Sequence, residues 1–222
     1  SLDYSHVILI LGSILSFIFL FLLFRSYNLK KLFLYIASAQ FSILLIAVGL
    51  NLYNAVVFHF FTSTISLLIL SLSFGIISYK LNNEHDIRKM GYLIVKCPSM
   101  FLFILIGFIS LLGIPYFSGF YSNQLFLSQL SLINKEHYIF ILNYCFLHSF
   151  IISYISFKVI LVVFLGQNNC NIHLYNKIED GSYYLKFILL ILSFFIIFSG
   201  WYFNNLFTGN FGENIWRLII VG

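Results

Sequence analysis

Charge is what this chain has least of. Its 222 residues include 12 Lys and Arg and only 7 Asp and Glu, so 9% are charged while 61% are hydrophobic. A water-soluble domain of this length needs several times as much charged surface, so the chain is an integral membrane protein, as its mean hydropathy of +0.98 also indicates. The net charge of +5 comes from scattered cations, with no dense basic patch interleaved with aromatics, and that argues against nucleic-acid binding. Cysteine is scarce. Cys97, Cys145 and Cys170 share no metal-type or redox spacing and read as reduced thiols. The opening "SLDYSH" has neither a basic n-region nor an initiator Met, so it is not a signal peptide, and it suggests a trimmed or partial form of a longer product. Alanine occurs four times against 28 Phe and 15 Tyr, a bias of the kind that T-rich organellar genes produce.

What is present is a series of apolar runs. A helix crosses a bilayer in about 20 residues at about 1.5 Å each. The runs predict one all-α transmembrane domain over 1–222, a polytopic helix bundle of about six crossings at about 6–24, 32–50, 55–79, 99–134, 138–165 and 184–203. The 99–134 region holds two pieces, each too short to cross alone, around "GIPYFSGFYSNQLFL" (113–127). Pro115 lacks an N–H, and Gly113 and Gly119 permit non-helical angles, so the expectation is a single crossing broken between about Gly113 and Ser122. Unwound backbone at membrane depth requires surrounding protein or water, so the break is expected inside the protein and marks an ion or substrate path. A proline kink without a role is the alternative. Six crossings put ten cations (Arg25, Lys30, Lys31, Lys80, Arg88, Lys89, Lys96, Lys158, Lys177 and Lys186) on one side, with Lys135 and Arg217 on the other. By the positive-inside rule the richer side is cytoplasm or matrix.

Several stretches then match a known pattern. "NLKKLFLYIASAQFSILLIAVGLN" (28–51), "AVVFHFFTSTISLLILSLSFGII" followed by "EHDIRKMG" (84–91), and "GIPYFSGFYSNQLFL" occur in the order seen in NADH dehydrogenase subunit 5 of respiratory complex I. "SYISFKVILVVFLG" and "FSGWYFNNLFTGNFGENIW" are similar to its later helices. The chain resembles that family across its length, and "DIRKMG" is the most specific piece. Bacterial multisubunit cation/proton antiporters share the ancestry. The resemblance implies the second of two inverted repeats of the subunit, each with one broken helix. The first repeat, with its glutamate–lysine pair, and the lateral arm are not among these residues, so a split gene or a partial sequence is expected.

The resemblance also weighs individual residues. His59 matches the first histidine of the family's F-H-x-x-T-H-A-F-F-K helix and is a proton-relay candidate; a buried neutral histidine bonded to a carbonyl is the other reading. Ser63 stands where that motif has its second histidine and Leu67 where it has lysine, while Asn123 and Gln124 replace the Lys-Asp that normally follows the break. These replacements cannot change charge, although the polar ones can hold water. His148 and Lys158 are further proton-path candidates; alternatively His148 is structural and Lys158 snorkels to the interface. Gly113, Pro115, Gly119, Ser122, Asn123 and Gln124 are expected to line the break, with Gln40 and Ser63 as polar contacts between helices. The polar face carrying His59, Ser63 and Asn123 is expected to lie open until a partner covers it. The 84–89 charge cluster reads as a solvated or subunit-contacting loop.

The function expected from these residues is a membrane-arm subunit of proton-pumping NADH:ubiquinone oxidoreductase, the second half of a split subunit 5, in the mitochondrial inner membrane. A cation/proton antiporter subunit and a non-conducting structural subunit are the rivals. Its partners would be the other membrane-arm subunits, a separately encoded first half, and lipids. No catalytic residue, metal or cofactor is expected on this chain, because nothing in it resembles a flavin, iron–sulfur or nucleotide site.

Overall fold

The computed structural model describes residues 2–131, 135–170, 175 and 180–208. Lys177, Arg217 and the 209–222 tail, which entered the charge and family readings, lie outside the described residues, as do residues 132–134. Seven α-helices account for most of the described chain: α1 (Leu2–Arg25), α2 (Leu29–Gly49), α3 (Tyr53–Lys80), α4 (Pro98–Leu112), α5 (Ser118–Leu130), α6 (Lys135–Val159) and α7 (Tyr183–Thr208). α6 runs on into a π-helical turn, Ile160–Leu165. Five of the helices are long and apolar enough to cross a membrane. α4 and α5 are shorter.

The helix ends follow local chemistry. Asn28 caps α2 by accepting from the backbone N–H groups of Lys30 and Lys31, and Pro98 occupies the first turn of α4, where a missing N–H costs nothing. Arg25 and Lys80 sit in the last turns of α1 and α3, where cations favour the negative helix end. Large apolar side chains such as Phe21, Phe60, Phe150 and Phe187 face outward. This inverts the soluble pattern, and it is stable where lipid replaces water.

The loops at the basic end are tied together. The Leu29 N–H donates to His85 O at 2.8 Å and the Ile87 N–H to Tyr27 O at 3.0 Å, joining the α1–α2 corner to the "DIRK" turn. Leu93 and Ile94 donate N–H bonds to Val163 O and Phe164 O in the π turn. Asp180 accepts from Ser99 Oγ and from Lys186 Nζ, each at 2.7 Å, and this pins the start of α4 to the start of α7.

The apolar interior falls into two clusters. One holds Leu32, Ile69, Leu70, Met100, Ile104, Phe108 and Val159 towards the basic end; the other holds Ala39, Ala55, Phe58, Tyr121, Phe126 and Ile141 towards the opposite end. Between them along α3 run His59, Thr62, Ser63 and Ser66, all buried. A polar layer therefore crosses the middle of the bundle, at the level where α4 stops and α5 starts.

Two expectations about the break need correction. The interruption covers only Gly113–Phe117, because the helix resumes at Ser118, so Gly119, Ser122, Asn123 and Gln124 are helical residues of α5. The break is also not enclosed by this chain: Ile114, Pro115 and Tyr116 are exposed. Local turns make that exposure tolerable. Gly113 takes the left-handed conformation (φ 73°), its N–H donates to Ser110 O and that of Ile114 to Ile109 O, and the Phe117 N–H returns to Ile114 O. Pro115 has no N–H to satisfy.

Candidate functional site

The site grows out of one face of α3. His59, Thr62 and Ser66 are spaced i, i+3, i+7 and so form a stripe, which α5 and the end of α4 meet with their own hydroxyls. His59 Nδ1 lies 3.3 Å from Ser122 Oγ, and Thr62 Oγ1 is 3.1 Å from the same oxygen. Ser66 Oγ donates towards Ser110 Oγ at 2.9 Å, and Ser110 Oγ is 3.4 Å from Ser118 Oγ. Two hydroxyl groupings thus flank the break, and a void of about 10 Å³ lies between them, lined by His59, Thr62, Ser63, Ser66, Ser110, Gly119 and Asn123. That is the space of a single water. Gly119 makes the crossing possible, because a Cβ there would strike the Ser110 carbonyl.

A larger cavity of about 250 Å³ also borders His59, and its lining includes Gln40, Leu111, Asn123, Gln124, Cys145 and His148. Asn123 lines both spaces, and a Cβ on Gly113 would come within 2.5 Å of the Asn123 amide nitrogen. The Nε2 atoms of Gln40, His59 and His148 are buried without a protein hydrogen-bond partner. Each is left without a protein partner, and a mostly apolar cavity of this size that carries a few polar side chains has room for water to serve them.

The structure brings together most, but not all, of the residues singled out in the sequence. His59, His148, Gln40, Asn123, Gln124 and Gly113 line the larger cavity. Ser63 lines the small void, but its hydroxyl bonds to Phe60 O of its own helix, so it is not an inter-helix contact. Nor does the Gln40 amide nitrogen bridge helices; the cavity beside it leaves it no donor target. Pro115 contributes only the interruption. Lys158 lies apart: its Nζ donates to Ser26 O at 3.1 Å and sits 3.8 Å from the Tyr27 ring centroid, which Arg88 approaches at 3.7 Å. His59 and Ser63 are buried within this chain, so the open polar face expected for them is not observed. Thr62, Ser66, Ser110 and Ser118 were missed. A polar stripe at helical spacing inside an apolar span was the available signal for Thr62 and Ser66; Ser110 and Ser118 become visible only once the break folds them together.

The sequence profile of the NADH:quinone oxidoreductase/Mrp antiporter transmembrane family matches residues 1–152. The chain belongs to that family. Within it, the chain is 31% identical over 199 residues to NADH-ubiquinone oxidoreductase chain 5 of Chondrus crispus, covering 87% of this chain and 30% of that one. It is 32% identical over 206 residues to the chain 5 of Patiria pectinifera, covering 93% and 31%. The chain thus spans about a third of the length of these family members. The fold is that of a chain of the Mrp complex from Dietzia sp. DQ12-45-1b, with a TM-score of 0.75 at 17% identity over 93% of this chain and 46% of the other. An all-helical antiporter-like bundle with a broken helix is therefore the architecture of this family member.

Proposed function

We propose that this chain is an antiporter-like membrane-arm component of a proton-translocating NADH:ubiquinone oxidoreductase in the mitochondrial inner membrane, and that its broken-helix centre carries protons. The observation behind this reading is the buried histidine–hydroxyl network between two apolar clusters, placed where α4 gives way to α5. Hydroxyls relay a proton by accepting one and releasing another, and an imidazole does the same across its two nitrogens. His59 has one nitrogen on the hydroxyls and the other without a protein partner, and the residue lines the cavity. Its partners on this reading are the other membrane-arm subunits and the remaining portion of a chain 5 subunit, whether joined to these residues or encoded apart.

The test is His59→Gln in the intact complex reconstituted into liposomes. Gln keeps a hydrogen-bonding amide but cannot titrate. Coupled proton transfer should slow by at least about tenfold while assembly persists. Unchanged rate and proton-to-electron stoichiometry would remove His59 from the path.

The fold shared with a Mrp complex chain supports a second reading, cation/proton exchange without NADH oxidation. Sodium-dependent proton movement in vesicles lacking NADH would favour it. Leu67, buried and apolar, and the uncharged Asn123 and Gln124 support a third, a structural subunit that does not conduct. A deletion that spares pumping stoichiometry would favour that one.

A further inference from the structure

His59 on α3 and His148 on α6 are 89 positions apart in sequence, yet they line one cavity of about 250 Å³, both buried and both with Nε2 lacking a protein partner. Gln40 lines the same space with its own unpartnered amide nitrogen. Among the described residues no charged side chain lines this cavity, and Cys145 is the one other titratable group in its lining. The walls from α2, α4 and α5 contribute Ile43, Leu111, Leu112, Phe120, Phe126 and Leu127. Three buried nitrogens without protein partners, on residues that line one space, leave hydrogen bonds that water can take, and at about 30 Å³ per molecule the cavity has room for several waters.

We propose that His59 and His148 act as a pair, passing a proton across this cavity through water, so that α6 supplies the second titrating group of the path. This rests on the reading that the chain carries protons. In the step, an imidazolium at His148 gives its Nε2 proton to a cavity water while the water chain gives a different proton to Nε2 of neutral His59. One ring loses a proton and the other gains one, and the water is unchanged. His59 then gives its Nδ1 proton to Ser122 Oγ, 3.3 Å away; Ser122 passes its own hydroxyl proton to Thr62 Oγ1 at 3.1 Å, and Thr62 releases its hydroxyl proton to water in the small void it lines, so each hydroxyl ends with one proton. Gln40 holds the water between the rings. Histidine suits an uncharged cavity because its neutral form costs far less to bury than an ammonium or carboxylate. The route needs no titrating group at Leu67, Asn123 or Gln124.

The experiment uses the intact complex in liposomes, with NADH oxidation and proton uptake followed together. His148→Ala should slow coupled proton transfer at least about tenfold, and added imidazole should restore most of the rate by occupying the vacated space. The His59→Gln/His148→Ala double variant should be no slower than the slower single one, because the two groups act in series. A full rate in His148→Ala overturns the pairing, as does a loss that imidazole does not repair. If the Ala variant does not assemble, His148→Gln decides: slowed transfer supports the relay and a full rate overturns it. A slow His59→Gln beside a normal His148→Gln would leave the proton-carrying reading standing and remove only the pair. A normal His59→Gln would remove the proton-carrying reading itself.

Discussion

At the scale of single residues, one lysine on an apolar helix and one buried thiol each take their behaviour from their surroundings. Lys158 is on α6, the helix that also carries His148, but its ammonium lies at the end of α1, bonded to Ser26 O and stacked over Tyr27. Removing it costs a charge-assisted hydrogen bond and a cation–π contact, together about 2 kcal/mol. Lys158→Met is therefore expected to lower the thermal stability of the purified complex and to leave its proton-to-electron stoichiometry unchanged; a changed stoichiometry would return Lys158 to the proton path. Cys97, at the head of α4 outside the spans, illustrates burial acting on a thiol. Desolvation, reinforced by Asp180, pushes its pKa up to about 11. The reactive form is the thiolate, so a raised pKa keeps Cys97 protonated and inert at pH 8. Alkylation followed by mass spectrometry should modify it only after denaturation, and modification in the native complex at pH 8 would show the site to be open.

At the scale of elements, the α4–α5 break depends on two glycines for different reasons. Gly113 provides a left-handed turn, while Gly119 is an ordinary helical residue whose missing side chain lets α5 touch the Ser110 carbonyl. Sequence reading assigned both to backbone freedom, and so it drew the break too long. Close approach can be recognised only from the packed helices. Gly119→Ala must push α4 and α5 apart, at about 1–3 kcal/mol, and weaken the Ser66–Ser110–Ser118 contacts. Slower proton transfer together with a lower melting temperature is expected. Gly75→Ala is the control: nothing lies within 4 Å of a Cβ there, so stability should hold or rise slightly. Equal effects at both positions would refute the close-packing account of Gly119.

At the scale of the whole molecule, the helix count and the cation distribution combine into a topology. The 80–98 connection carries Lys80, Arg88, Lys89 and Lys96, and it is fastened to the α1–α2 corner by the Leu29–His85 and Ile87–Tyr27 hydrogen bonds. These loops share one side of the membrane, and the positive-inside rule assigns them to the cytoplasmic or matrix side. On the proposed function that is the side where NADH is oxidised, and a thiol introduced as Asn83→Cys should react there with a membrane-impermeant reagent. Reaction from the opposite face alone would invert the topology. The exposed Ile114–Tyr116 turn lies on the surface of this chain, which spans about a third of its chain 5 relatives.

Scarcity of charge, runs of about 20 apolar residues and the Gly–Pro interruption were enough to establish a polytopic helical membrane protein with one broken crossing. These are properties of residue type and spacing, and lipid acts on them locally. The "DIRKMG" loop and the Phe58–His59 helix carried the family in the same way. The site itself was only half legible. His59 and Asn123 could be named from their motifs, but whether they faced a partner or the interior depended on how α3, α5 and α6 pack. Only the tertiary structure buried His59, turned the hydroxyls of Ser110 and Ser118 towards each other, and placed His148 on the same cavity as a histidine 89 residues earlier. Those relations join helices distant in sequence, and no local spacing encodes them.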